Sequence, residues 1–72
     1  MVVGGGRVHI LRRGPSERSC EARAASSGDG FELVITIDGA SHIEAFSTLD
    51  RALARARALL SNWRAHGWKE KD

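Results

Sequence analysis

The side chains best suited to chemistry in this 72-residue chain are a single cysteine and three histidines: Cys20, His9, His42 and His66. Zinc sites usually show pairs of such ligands only a few residues apart. These four residues form no such pair, so we assign no metal ligands. A cysteine nucleophile needs a neighbouring base, and paired strands can bring His9 or His42 beside Cys20. A chain this short leaves little room for a substrate pocket, so we predict that Cys20 is a buried or half-buried structural residue and that the chain has no catalytic residues.

Two other motifs also lack the features that chemistry would need. The glycines of residues 4–6 are not followed by the Gly-Lys-Ser/Thr ending of a phosphate-binding loop. Glu32 and Glu44 can face each other across a hairpin, but we predict that they are solvated charges on the sheet. We therefore expect no cofactor and no enzymatic activity.

Arginine provides most of the positive charge, and the charge is unevenly distributed. Residues 1–30 carry five arginines against three acidic residues, residues 31–50 carry four acidic residues and no lysine or arginine, and residues 51–72 carry six lysines and arginines against two acidic residues. The planar guanidinium group suits forked contacts to phosphate or carboxylate. The candidate binding face is therefore the set of arginines on the predicted C-terminal helix: Arg51, Arg55, Arg57 and Arg64.

The elements that would position these residues are short strands followed by one helix. Alternation of apolar and polar residues predicts strands over residues 7–12, 18–25, 31–38 and 42–46. The second is the weakest prediction, because alanine is a poor strand former. Turn signals separate the strands: Gly14-Pro15, the serine- and glycine-rich residues 26–30, and Asp38-Gly39.

A single helix covers only one face of a sheet, so the other face is predicted to be bare or to meet a partner. Phe31, Leu33, Ile35 and Ile37 are expected to face the core. The residues predicted for the bare face are His9, Leu11, Glu21, Arg23, Glu32, Val34, Thr36, His42 and Glu44.

The C-terminal helix is predicted to run from residue 48 to residue 66. Ser47 or Thr48 can cap its first turn, and Asp50 favours the positive end of the helix dipole. Its apolar stripe consists of Leu49, Ala52, Leu53, Ala56, Leu59, Leu60 and Trp63. Gly67 is well placed to end the helix, and in that ending Trp68 would fold back onto Trp63.

These elements predict one α+β domain, with a three- to four-stranded antiparallel sheet packed on one C-terminal helix. Its expected limits are residues 7–68, between a flexible N-terminus at 1–6 and a charged tail at 69–72. No apolar run approaches the length of a membrane span, and the first residues lack the apolar core of a signal peptide. We therefore expect a cytoplasmic protein that does not enter membranes.

The stretch from residue 30 to residue 60 resembles a recurrent bacterial module. The resemblance consists of Phe31-Glu32-Leu33-Val34, the Asp38-Gly39 turn, Phe46-Ser47-Thr48, and Ala52 with Ala56. Small bacterial proteins of the DUF2188 type are similar, and AP2 domains and integrase arm-binding domains share the plan of three strands and a helix. The resemblance implies this fold. AP2-type and integrase domains read DNA with basic sheet residues, where this chain has Glu32, Asp38 and Glu44.

The favoured prediction for function is a non-enzymatic protein-binding or adaptor module. The alternative is a nucleic-acid-binding module that uses the arginine face. The expected partner is another protein, with a homodimer through a sheet edge or the bare sheet face as a further possibility.

Overall fold

A computed structural model describes residues 8–70 of the chain. The elements in chain order are β1 Val8–Arg13, β2 Ser16–Ala24, β3 Phe31–Ile37, β4 Ala40–Phe46, α1 Leu49–Ala65 and β5 Lys69–Glu70. The strands form one antiparallel sheet in the order β4-β3-β2-β1-β5. The predicted α+β class is confirmed. The sheet has five strands because Lys69 and Glu70, predicted as part of a charged tail, pair with Arg12 and Leu11 of β1.

Two-residue turns close the first and last hairpins. Gly14 has φ 59° and precedes Pro15, which matches the turn type that places glycine at its first central position. Asp38 and Gly39 both have positive φ, 48° and 90°, as a type I′ turn requires. The Asp-Gly hairpin was predicted from the sequence, but the turn is only two residues long, so β4 begins at Ala40 and not at residue 42.

The tight first turn decides which face each residue of β1 occupies. Arg13 pairs with Ser16, which places Leu11 opposite Arg18 and His9 opposite Cys20, all on the helix-covered face. Leu11 is fully buried, whereas Val8 is 55 % exposed. The prediction that Leu11 and His9 belong to the bare face is therefore wrong. Residues 8–11 include apolar side chains on both faces, so their alternation did not determine the orientation.

The second tight turn reverses the predicted face of β4 in the same way. Ile37 pairs with Ala40, so His42 lies opposite Ile35 and Glu44 opposite Leu33, both on the helix-covered face. The prediction that placed His42 and Glu44 on the bare face is wrong. The remaining predicted residues of the bare face, on β2 and β3, alternate as expected: Glu21, Arg23, Glu32, Val34 and Thr36.

The core lies between the helix and the middle of the sheet. Its buried members are Leu11, Cys20, Ala22, Leu33, Ile35, Ala52, Ala56, Leu60, Trp63 and Trp68. Phe31, Phe46, Leu53 and Leu59 pack against it while partly exposed. Of the residues predicted to face the core, Ile37 at the end of β3 is 37 % exposed. Alanines on α1 and β2 allow the helix to approach the sheet closely, since their side chains add little bulk.

The helix begins and ends close to its predicted limits. The Thr48 hydroxyl accepts the Arg51 N–H at 3.2 Å, which makes Thr48 the N-cap. The buried stripe is Ala52, Ala56, Leu60 and Trp63, while Leu49 is 42 % exposed and lies outside the core. Within residues 8–70, no helix is long and apolar enough to cross a membrane.

The end of the helix has the predicted glycine-terminated geometry. Gly67 has φ 91°, its N–H donates to the Arg64 carbonyl at 3.1 Å, and the Trp68 N–H donates to the Trp63 carbonyl at 3.0 Å. These are the two hydrogen bonds of a Schellman motif with His66 as the C-cap. Trp68 is 5 % exposed and belongs to the same core as Trp63.

Two arginines from the first hairpin hold the helix terminus and Trp68 in place. The Arg18 guanidinium lies over both indoles, 4.4 Å from the Trp68 ring and 5.7 Å from the Trp63 ring. Arg13 lies 5.4 Å from the Trp68 ring and donates to the His66 carbonyl at 2.9 Å. Cation–π contacts and the capped carbonyl thus tie β1 and β2 to the helix terminus.

Candidate functional site

The four arginines predicted as a binding face lie on two opposite flanks of α1. Arg51 and Arg55 are one turn apart and share a flank, and Arg57 and Arg64 are two turns apart and share the other. The two-residue step from Arg55 to Arg57 rotates the side chain by about 200°. The helix therefore presents two separate pairs of cations, with the buried stripe between them on the sheet side.

One arginine on each flank is already held by a carboxylate. Arg55 donates to Glu44 through Nε at 3.0 Å and through Nη2 at 3.3 Å, a forked pair between the helix and β4. Arg64 donates through Nη2 to Glu70 of β5 at 2.6 Å. Within residues 8–70, Arg51 and Arg57 have no carboxylate partner. The positive charge available to an anionic ligand is therefore about half of what the sequence predicts.

The Arg55–Glu44 pair also affects protonation. Hydrogen bonds from Arg55 lower the pKa of Glu44 below its ordinary value of 4.5, and His42 contributes in the same direction from 3.5 Å. The carboxylate raises the pKa of the Arg55 guanidinium in turn. Both groups are thus held in their charged forms around neutral pH, as in a structural ion pair.

A groove of about 460 Å³ runs between the Arg57 flank of the helix and the β1–β2 side of the sheet. Leu53, Ala56 and Leu60 line it from the helix, and Cys20 and Ala22 from β2. Arg57, Arg64 and His9 also line it. Glu70 lies 2.6 Å from Arg64 and 3.9 Å from His9, so a carboxylate of the chain itself already neutralises part of the positive charge there.

Cys20 lies beside this groove but is a poor nucleophile. Its side chain is 1 % exposed. Burial raises the pKa of the Cys20 thiol above 9.0, the nearby Glu70 carboxylate raises it further, and Arg64 offsets only part of the rise. The thiol is therefore protonated at neutral pH, and the groove contains no activated sulfur.

The histidines lie apart from one another and have separate local roles. His42 contacts Glu44, and the Nδ1–H of His66 donates to the Asn62 carbonyl at 2.8 Å. His9 lies opposite Cys20 across β1 and β2. Among residues 8–70, no three histidine, cysteine or carboxylate side chains are close enough to hold a metal ion.

The face of the sheet opposite the helix is mixed in character. Val8 and Ile43 are 55 % and 52 % exposed there, and Val34, the cross-strand neighbour of Ile43, is half-buried. Polar pairs lie between the apolar residues: Arg23 donates to Glu32 at 3.2 Å, and the Thr36 and Ser41 hydroxyls are 2.7 Å apart. Most polar groups on this face are therefore partnered within the chain.

The outer edge of β4 is a second candidate binding surface beside the arginine face. Sequence reasoning did not single out its residues. β4 is the outermost strand on its side of the sheet and is seven residues long. The pair that flanks a two-residue turn is hydrogen-bonded, so Ala40, His42, Glu44 and Phe46 direct their backbone groups toward β3. The intervening residues, Ser41, Ile43 and Ala45, direct theirs away from the sheet.

Within residues 8–70, this edge has few of the usual features that prevent strands from pairing with other chains, and Glu44 is its one acidic side chain. β4 contains no lysine, no proline and no bulge in its register with β3. At the opposite side of the sheet, β5 is only two residues long and pairs with two residues of β1. The sequence signal that could have identified the outward residues of β4 is the Asp38-Gly39 turn, because a two-residue turn fixes which residues direct their backbone groups outward.

Comparison with known proteins gives no family assignment. No family model, curated protein or solved structure matched the chain. The resemblance of residues 30–60 to DUF2188-type modules therefore stays a prediction, and a proposal for function depends on the geometry of the described residues.

Proposed function

We propose that this chain is a non-enzymatic protein-binding module that takes an extended segment of another protein alongside β4. The observation that carries the proposal is the free outer edge of β4. Within residues 8–70, the backbone groups of Ser41, Ile43 and Ala45 on that edge have no strand partner. An added antiparallel strand would satisfy them in the manner of β-augmentation.

The energetics of such binding are modest and fit an adaptor. Each new backbone hydrogen bond contributes about 0.5–1.5 kcal/mol net. Side chains on alternate residues of the added strand would supply specificity. On the open face these side chains meet the exposed Ile43, and on the helix-covered face they meet His42 and Glu44 beside Arg55. A partner strand that alternates apolar and charged residues would suit both sides of this edge.

The arginine face supports the nucleic-acid alternative less well. Its members are divided between two flanks, and two of the four are paired with carboxylates. Phosphate contacts by all four would require breaking both ion pairs, with partial loss of the electrostatic gain. We therefore place the binding function at the sheet edge.

The test is to select nine-residue peptides from a random display library on the immobilised chain and measure their binding to two variants. In Ile43→Pro the outward N–H is removed, and proline is tolerated on an edge strand whose N–H faces solvent. The matched control, Ile43→Ala, loses the same side chain but keeps the N–H. We expect Ile43→Pro to lose peptide binding at least tenfold more than Ile43→Ala.

Hydrogen exchange locates the bound peptide independently. Bound peptide should slow exchange of the Ser41, Ile43 and Ala45 amides, and circular dichroism should show both variants folded. Equal affinity of the two variants, or protection confined to the helix, would refute docking at β4.

A further inference from the structure

We infer that a second copy of this chain can occupy the β4 edge, antiparallel to the first about a two-fold axis at Ile43. This inference rests on the proposed function, since it uses the same edge of β4, with β4 of a second copy in the place of the extended segment. It would join two five-stranded sheets edge to edge into one continuous sheet. The observations that support it are the free edge and the self-complementary order of side chains along β4.

The backbone pattern of β4 fits pairing with itself. With the axis at Ile43, the two Ile43 residues lie opposite each other, and Ser41 lies opposite Ala45 of the second copy. All three direct their backbone groups outward, so each such pair exchanges two hydrogen bonds across the interface. The axis thus passes through a hydrogen-bonded pair.

The side chains on the helix-covered face favour the same register. There His42 lies opposite Glu44 of the second copy, and the symmetry creates this contact twice. The His42 side chain is 60 % exposed and the Glu44 side chain 29 %, so both are accessible to a neighbour. Each Glu44 would then accept from its own Arg55 and from the His42 imidazole of the second copy.

Neighbouring registers are worse on both faces. Moving the axis to Glu44 places two carboxylates directly opposite each other, which is destabilising. Moving it to His42 places two imidazoles opposite each other and pairs Ile43 with Ser41. Only the axis at Ile43 brings the two exposed isoleucines together on the open face, where each also adjoins its own Val34. Charge and apolar contact therefore select one register.

Mass measurement by light scattering over a range of concentrations tests the inference. Ile43→Lys places two ammonium groups opposite each other at the axis, and like charges there oppose pairing. Val8→Lys is the matched control, because Val8 has nearly the same exposure, 55 % against 52 %, on the same open face but on β1. We expect a concentration-dependent dimer for the parent chain and for Val8→Lys, and at least a tenfold weaker dimer for Ile43→Lys.

Cross-linking then tests the register. A chain carrying Ser41→Cys mixed with one carrying Ala45→Cys should oxidise mainly to the mixed disulfide, because antiparallel partners in hydrogen-bonded pairs lie about 5.5 Å apart between Cα atoms, within disulfide range. The native Cys20 is 1 % exposed, and Cys20→Ala in both chains removes it from the reaction. Predominant homodisulfides of either single variant would refute the two-fold axis at Ile43.

The two proposals fail in different ways. A parent chain that stays monomeric at millimolar concentration, while display-selected peptides still protect the Ser41, Ile43 and Ala45 amides, overturns the second copy and leaves the proposed function standing. A dimer that is lost in Val8→Lys but kept in Ile43→Lys overturns the second copy at β4, since such a dimer would form through the open face near β1. If the parent chain forms no dimer and no selected peptide binds along β4, both proposals are overturned.

Discussion

At the scale of single residues, Gly30 shows how closely the loop after β2 approaches β4. Gly30 has φ +80°, and a Cβ placed there would lie 2.6 Å from the Phe46 carbonyl oxygen. Gly28 in the same loop has φ +90° but no atom within 4 Å of the corresponding position. The loop composition predicted a turn, but no feature of the sequence distinguishes the two glycines, because the close contact comes from a residue that is distant in sequence.

We predict that Gly30→Ala is much more destabilising than Gly28→Ala. Both substitutions place alanine in the left-handed region, at a cost of about 1 kcal/mol. Gly30→Ala also forces the backbone at residue 30 away from the Phe46 carbonyl, which adds about 1–3 kcal/mol to the loss of unfolding free energy. Urea denaturation of the two variants and the parent chain gives the comparison, and equal losses of unfolding free energy would contradict the contact.

Cys20 gives a second prediction, concerning pH. Its thiol pKa is raised in the folded chain above the ordinary 9.0, so the folded state favours the neutral thiol. This contribution to stability is complete below about pH 9 and is lost as the pH rises through the folded-state pKa. We expect the parent chain to lose unfolding free energy above pH 9 relative to Cys20→Ala, with no difference in slope between pH 6 and 8.

Alkylation provides the independent measurement. Because Cys20 is 1 % exposed, iodoacetamide should react with it only as fast as the chain opens, and the rate should rise with urea in step with unfolding. Rapid alkylation of the folded chain at pH 7.5 would show that the thiol is accessible from the groove.

At the scale of elements, the helix was largely predictable, but the orientation of β1 and β4 was not. The stripe of Ala52, Ala56, Leu60 and Trp63 follows from residues three and four apart, and Gly67 marks the end. Each of these signals is local. Which face a side chain occupies depends instead on the register of its strand, and one residue more or less in the preceding turn moves every side chain of the strand to the other face. That is why Leu11 and Glu44 were assigned to the wrong face although both strands were found.

The same stripe sets the expected order of core substitutions. Leu60 is 5 % exposed, whereas Leu53 is half-buried at the wall of the groove. Leu60→Ala should cost about 2–5 kcal/mol through lost burial and a cavity, and Leu53→Ala clearly less, since solvent can fill the space. Chemical denaturation of both variants measures this order. An equal or larger loss for Leu53→Ala would mean that the helix is rotated relative to the sheet.

At the scale of the whole molecule, charge is balanced between layers. The acidic residues 31–50 and the basic residues that flank them in sequence meet in space, as Arg23 with Glu32 across two strands and Arg55 with Glu44 between helix and sheet. Composition revealed the uneven charge, but the pairing needed the register of β4. The sequence could therefore name the arginines of the candidate site, but not which of them were already occupied. It pointed to a sheet edge as a possible interface but could not identify the free groups of Ser41, Ile43 and Ala45.

The Arg55–Glu44 pair can be measured against Arg51, which shares its flank. Arg55→Gln removes a forked but exposed ion pair, so we expect a loss of about 0.2–1 kcal/mol, reduced by salt. Arg51→Gln removes an equal charge that has no carboxylate partner within residues 8–70, so its effect should be near zero. Because the pKa of Glu44 is lowered, the contribution of the pair is present above about pH 4.5 and is lost as the pH falls through the folded-state pKa. The difference in unfolding free energy between the parent chain and Arg55→Gln should therefore shrink in acid. A difference that stays constant from pH 7 down to pH 2 would mean that Arg55 acts through packing of its stem on the sheet and not through Glu44.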